Sequence, residues 1–347
     1  MRTAEKSSAL SHATSRLRYM KILTICTLLV AFNVTANGMN ILTLTADEQQ
    51  ITLSKKVPYP NGISHDKHGA LYVGSVVNGN IVKISSSGEQ TIFHSDSDEI
   101  FSGTSLRYDP LTDILWVASP NFFGISNAQK STALKNNRIS AIQLSSRQLI
   151  KQWLIPDGGF GNDIALDTAG GVYVTDSTKD RVYHLKSVTS EFTHFLNSKL
   201  FTAGRIGPAG IAVLPNSDLI IGLYSEGTLV RATIDKEGDK PAFSQLNLQR
   251  RLENPDGLYP LPNGRLLVLE VAPISGNGRL SIIDLLARPP YPVTTIVNDL
   301  ASPLNLTLRN NELFITESRI RHLLLPDDKS PEPDMFFIKR VNLQALL

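Results

Sequence analysis

The sequence predicts an all-β chain, a six-bladed β-propeller with four-stranded antiparallel blades. Three observations carry this. A strand–turn–strand unit recurs six times along the 347 residues. Matched points in its second strand, Tyr72, Trp116, Tyr173, Ile220, Leu267 and Phe314, are separated by 44, 57, 47, 47 and 47 residues, the spacing of a repeat architecture built from blades. No stretch shows the 3.6-residue apolar period of amphipathic helices, which a βαβ chain would need between its strands.

The clearest unit runs from Gly161 to Ser177, G-N-D-I-A-L-D-T-A-G-G-V-Y-V-T-D-S. Ile164 and Leu166 alternate with smaller residues, and Asp167 to Gly171 supplies turn chemistry. Val172 to Thr175 has the β-branched and aromatic content of a returning strand. The other copies are Pro60 to Ser75, Ser102 to Ser119, Gly207 to Gly222, Asn254 to Glu270 and Ser302 to Glu317. A third strand follows in Gly79 to Ile84, Arg138 to Gln143, Asp180 to Leu185, Gly227 to Ala232 and Gly278 to Ile283. A more variable fourth follows at Thr91 to His94 and Thr294 to Val297. The one long step contains the polar stretch Asn121 to Asn137, read as a loop insertion. Residues 36–55 and Met335 to Asn342 are expected to supply strands that close the ring.

Ahead of the repeats, residues 1–36 read as an N-terminal extension and secretory signal peptide, leaving 37–347 as a single propeller domain. Arg16, Arg18 and Lys21 precede the apolar run Ile22 to Phe32, and Val34-Thr35-Ala36 fits a small-x-small cleavage pattern. The run is too short to span a bilayer comfortably, so no stable membrane span is expected after cleavage. The chain is expected in the periplasm or outside the cell, starting at Met1 or at Met20. The one cysteine, Cys26, lies inside the run, so disulfide and thiolate chemistry are excluded from the mature chain. The formal charge is +2, but residues 1–36 carry +4, so the remainder carries −2. That offers no electrostatic footprint for nucleic acid. A monomer acting on a small molecule is the expected form.

In a propeller the innermost strands surround a central channel, and their starting ends look into one mouth. Aligning the six copies places Asn61, Thr104, Asn162, Ala209, Asp256 and Leu304 in a first ring. Gly62, Ser105, Asp163, Gly210, Gly257 and Asn305 form a second. Asn162, Asp163 and Asp256 are oxygen donors converging from different blades, the ligand type of hard cations. The same residue types also cap turns at strand starts. The ends of the second strands, including Asp176, Glu270 and Glu317, are expected near the same mouth, one shell further out. G-x-S-x-G is absent, which argues against a serine-hydrolase elbow.

The pattern N-D-I-A-x-D-x-x-G-x-x-Y-V-T-D, followed two blades later by P-D-G-L, resembles the SMP-30/gluconolactonase family of six-bladed propellers. That family is similar in turn to the paraoxonase, diisopropyl-fluorophosphatase and strictosidine-synthase propellers. The resemblance covers about residues 55–320. It implies one divalent cation, Ca²⁺ foremost, held in the mouth by a first-blade Glu, Asn residues of middle blades and the Asp of a P-D-G motif. Asn162 and Asp256 match that pattern. Asn61 stands where the Glu is expected and Ala209 where a fourth-blade Asn is expected, which lowers the ligand charge and number. The resemblance implies hydrolysis of a small lactone or ester, with the cation polarising the carbonyl and Asp163 or Asp256 activating water or moving a proton. Thr104, Asn305, Glu270 and Glu317 are the further residues expected around the substrate. A second reading is a non-catalytic propeller binding a small molecule, glycan or protein, favoured by Asn61, Ala209 and Leu304. A third is a lyase or synthase like the strictosidine-synthase group.

Overall fold

A computed structural model describes residues 50–121, 135–201, 206–234, 241–325 and 331–346. The segment expected to be a signal peptide and residues 122–134 of the expected loop insertion lie outside the described residues. Six four-stranded antiparallel sheets make up the chain, and five of them pair their strands in sequence order. The six innermost strands are Pro60–His65, Ser105–Asp109, Gly161–Leu166, Pro208–Val213, Pro255–Pro260 and Pro303–Arg309. They define blades one to six.

Every expected third strand forms, as in Ile81–Ile84, Arg138–Gln143 and Arg181–Leu185. The expected fourth strands form at Gln90–His94 and Val293–Leu300. Closure also follows expectation. In blade six the outermost strand is the N-terminal Gln50–Thr52, which pairs with Phe337–Asn342 from the C-terminal end. Both ends of the described chain therefore sit in one sheet, and the ring is fastened by main-chain hydrogen bonds.

Burial explains the composition of the strands. The second strands Leu71–Ser75, Ile114–Ser119 and Leu219–Leu223 are buried along their whole length, because each blade face packs on a neighbouring blade. They read as continuous apolar runs for that reason, as strands covered on both faces do. Trp116 is fully buried and stacks on Trp153, with ring centroids 5.6 Å apart, in the cluster joining blades two and three. Fourth strands lie at the rim, where Gln148–Leu154 leaves Leu149, Ile150 and Leu154 exposed. Among the described residues, no helix is long and apolar enough to cross a membrane.

Candidate functional site

In five blades the innermost strand begins with a β-bulge. In blade one Pro60 pairs with Ser75 and Ile63 with Val73, so Asn61 and Gly62 together oppose Gly74. The same shift sets Asn162 and Asp163 against Thr175, and Ala209 and Gly210 against Gly222. It sets Asp256 and Gly257 against Leu269, and Leu304 and Asn305 against Thr316. Blade two has no shift, and Ser105 pairs with Ala118 in regular register. A bulge leaves one backbone N–H outside the ladder and re-aims the side chains beside it. In three of the five, the freed donor finds a partner nearby. Gly62 N–H donates to Gly103 O at 3.0 Å, Asp163 N–H to Thr175 Oγ1 at 3.0 Å, and Asn305 N–H to Thr316 Oγ1 at 3.2 Å. The two threonine hydroxyls then donate to the next blade, at Ala209 O (2.6 Å) and Asn61 O (2.9 Å).

The first residues of these bulges face the mouth. Asn61, Asn162, Asp256 and Leu304 line one cavity with Phe160, Ile206, Tyr224, Ile320 and Leu324. The structure thus brings together the three residues expected to hold a cation, from blades one, three and five. Ala209 is fully buried in the same ring and offers only a methyl group.

The side-chain oxygens of these three residues are uncommitted. Asn162 Nδ2 donates to Ser177 Oγ at 2.9 Å, and Ser177 Oγ donates to Pro208 O at 2.6 Å. With that hydroxyl proton engaged, the Asn162 amide must present its nitrogen to Ser177, which leaves Oδ1 as its free acceptor. Asn61 and Asp256 are 3% and 8% exposed, and their side chains have no hydrogen-bond partner among the described residues. With the free amide oxygen of Asn162, these two unpartnered side chains open on one cavity and are available to a ligand there. Burial pushes the Asp256 carboxyl well above the usual carboxylate range; the nearby Asp163 charge adds to this and Arg107 opposes it. Burial, and then Asp256, also hold the Tyr224 phenol up.

As donors, these residues fit a hard divalent cation in kind: two amide oxygens and one carboxylate, none otherwise engaged. Of the remaining ring positions, Ala209 and Leu304 supply no oxygen from their side chains, and the Thr104 hydroxyl is spent on Asn162 O outside the cavity lining.

Asp163 sits elsewhere. It is 2% exposed, does not line the cavity, and its oxygens are saturated with donors. Oδ1 accepts from Ser105 Oγ at 2.7 Å, Arg107 Nη2 at 3.1 Å and Asn305 Nδ2 at 3.3 Å; Oδ2 accepts from Ile211 N–H at 3.2 Å. Arg107 also donates from Nη1 to Asn305 Oδ1 at 3.0 Å and Leu106 O at 2.9 Å. One guanidinium from blade two therefore ties blade three to blade six beneath the mouth. Sequence reasoning missed Arg107. The signal was present two residues beyond the second ring, where the aligned positions read Ser64, Arg107, Ala165, Ala212, Tyr259 and Thr307.

The other expected mouth residues are also structural in their contacts. Asn305 belongs to the Arg107–Asp163 network. Thr104 lies in the unbulged blade and donates to Asn162 O at 3.2 Å. Glu270 is fully buried; it accepts from Arg250 at 2.7 and 2.9 Å, Ser281 Oγ at 2.6 Å and Glu253 N–H at 2.8 Å. Burial pushes its carboxyl up, but these donors prevail and hold it below the usual range. Glu317 accepts from Ala301 N–H at 3.0 Å, and Asp176 from Phe160 N–H at 2.8 Å. These three acids occupy one position in the repeat, and each fastens the loop that leads into its own innermost strand. None of them lines the cavity.

No family model matches the chain, and no curated protein matches it. Solved structures do. A gluconolactonase from Xanthomonas campestris matches at a TM-score of 0.58 and 13% identity, covering 85% of this chain and 91% of that one. A virginiamycin B lyase from Staphylococcus aureus, solved with quinupristin, matches at 0.57 and 12%, covering 89% and 94%. The nidogen/laminin complex matches at 0.51 and 17%, covering 69% and 82%. At these identities the likeness is one of fold, and the fold hosts a lactonase, a lyase and a complex-forming protein.

Proposed function

We propose that the chain is an exported hydrolase of a small lactone or ester, assisted by a divalent cation, and that it works in the central mouth. The observation that carries this reading is the convergence of Asn61, Asn162 and Asp256, from alternate blades, on one cavity with their side-chain oxygens free. Gluconolactonases among the proteins of like fold support it. Ca²⁺ is the cation that suits an all-oxygen set, with water and substrate supplying its remaining ligands. When bound, the cation would polarise the scissile carbonyl.

This chain's own residues have separable parts in that reading. Asn61 and Asn162 would hold the cation through their amide oxygens, the Asn162 amide being fixed by Ser177, and so set where the carbonyl sits. Asp256, the one uncommitted carboxyl in the mouth, holds or moves the proton of the attacking water. Asp163 serves as a positioning residue, because its oxygens are engaged by Arg107, Ser105 and Asn305. The apolar remainder of the lining excludes bulk water.

A second reading, a non-catalytic binding propeller, is favoured by that same lining, since most of the residues around the cavity are apolar or aromatic. One experiment separates the two. Ca²⁺ binding is followed by calorimetry, and hydrolysis of a lactone panel by pH indicator, for the wild type, Asn162→Ala and Asp256→Asn. The hydrolase reading expects Ca²⁺ binding with lactone turnover, and both falling at least tenfold in each variant. Ligand binding without turnover at any Ca²⁺ concentration would establish the binding propeller instead.

A further inference from the structure

The lining of the mouth bears on the kind of substrate it admits. Around the cavity, Phe160, Ile206, Leu304, Ile320 and Leu324 present no polar side-chain atom, against the polar groups of Asn61, Asn162 and Asp256 and the one phenol hydroxyl of Tyr224. Ile320 and Leu324 come from outside the repeats. They lie on the connection between the strands Glu312–Glu317 and Phe337–Asn342 of blade six, and Leu324 closes the short helix Arg321–Leu324. Arg321 Nη2 fastens this connection to Ile274 O at 3.2 Å, and Arg319 Nη1 to Met335 O at 2.9 Å. Further along it, Glu332 accepts from Tyr59 Oη at 3.0 Å. Ile274 and Met335, which flank the connection on the mouth face, are themselves 75% and 48% exposed.

A sugar lactone would bring several hydroxyls into this space. Asn61, Asn162 and Asp256 are engaged by the reacting carbonyl, water and cation, so those several hydroxyls would face Ile206, Leu304, Ile320 and Leu324 with the Tyr224 phenol alone to pair with. Unpaired hydroxyls are penalised on burial. An alkyl substituent would instead gain about fourfold in affinity for each methylene it buries.

We propose that the substrate is a lactone or ester bearing an aliphatic chain, and that the Ile320–Leu324 segment selects it over polyhydroxylated lactones. This rests on the hydrolase reading for its chemistry but not for its ligand class. The ring sits at Asn61, Asn162 and Asp256, and the chain leaves past Leu324.

The test uses the full-length protein with Ca²⁺ and a series of γ-butyrolactone, γ-octalactone, γ-decalactone and δ-gluconolactone. For each, kcat/KM is measured together with binding by calorimetry. The expected result is a rise of about threefold to fourfold in kcat/KM per added methylene over the first few, with δ-gluconolactone the poorest substrate. Leu324→Asn is expected to reduce the decalactone-to-butyrolactone ratio about tenfold. Leu323→Asn, one residue away but outside the cavity lining, should leave the ratio unchanged, and Leu324→Met should restore it. Thermal unfolding of each variant checks that it is folded. Preference for δ-gluconolactone, or a ratio indifferent to Leu324→Asn, overturns the inference while the hydrolase reading stands. Alkyl lactones that bind more tightly with chain length in a Leu324-dependent way, yet are never hydrolysed, would uphold the ligand class and remove the hydrolase. No binding of any member overturns both.

Discussion

Replacing Arg107 by Met should be among the more damaging single changes near the channel. The guanidinium donates to Asp163 at 3.1 Å, Asn305 at 3.0 Å and Leu106 O at 2.9 Å, and Asp163 is 2% exposed. Met fills a similar volume, so little of the loss comes from a cavity. What remains is a buried carboxylate with only Ser105, Asn305 and the Ile211 N–H to stabilise it. Removing one partner of a buried ion pair costs about 3–5 kcal/mol, chiefly from the stranded charge. Arg107 is 16% exposed, so some water can reach the gap and the lower end, about 3 kcal/mol, is expected. For a propeller of this size that lowers Tm by about 5 °C. Arg107→Met with Asp163→Asn removes the stranded charge, and the pair should cost about 2 kcal/mol less than the sum of the two single changes. Urea unfolding at neutral pH of the wild type, both single variants and the double variant completes the cycle. A coupling below about 0.5 kcal/mol, or a cost of Arg107→Met below about 1 kcal/mol, would refute the assignment of Arg107 as the tie between blades.

Three further outcomes follow from the geometry. Glu270 titrates below its unfolded value when folded, so its contribution is complete above the unfolded pKa of about 4.3 and is lost as pH falls through the folded one. The wild type should therefore lose more stability than Glu270→Gln between about pH 5 and pH 3, which chemical denaturation at stepped pH measures. A Cβ on Gly210 would overlap the backbone oxygen of Asp256, so Gly210→Ala should destabilise by about 2 kcal/mol or more and weaken whatever binds at Asp256. Gly88 has an open surround, and Gly88→Ala should cost only about 1 kcal/mol from its positive φ; differential scanning calorimetry of the two tests the contrast. Thr316→Val removes the hydroxyl that donates to Asn61 O and accepts from Asn305 N–H. It should cost about 1–3 kcal/mol and speed amide exchange at Asn305, readable by hydrogen–deuterium exchange.

The fold was legible because propeller blades repeat a local signal, a hairpin with its turn residues, and six copies average out the ambiguity of any one. Asn61, Asn162 and Asp256 were legible for the same reason: equal positions in equal hairpins must face one axis. Asp163 was misjudged in its setting, though its ring was right, because its partners come from blades two and six and a column-by-column reading does not pair columns. Glu270 and Glu317 were placed at the correct end of the correct strand. Their direction depends on Arg250 and on loop N–H groups that no repeat pattern encodes. The roof formed by Ile320 and Leu324 belongs to a connection unique to blade six, where repetition gives no guidance. An apolar run, Leu323 to Leu325, at the head of an otherwise polar loop was the available hint.

The bulges at the head of five innermost strands have a consequence for how such a molecule can change over time. A residue inside a ladder is constrained by its cross-strand partners, so altering it disturbs the sheet. A bulged residue stands outside that constraint, and here the five positions are filled by Asn, Asn, Ala, Asp and Leu with the same register shift in each hairpin. The mouth therefore behaves as a short, rewritable code mounted on an indifferent frame. Descendants of one ring can exchange a metal ligand for a methyl group, or a methyl group for an acid, and acquire a new chemistry without refolding.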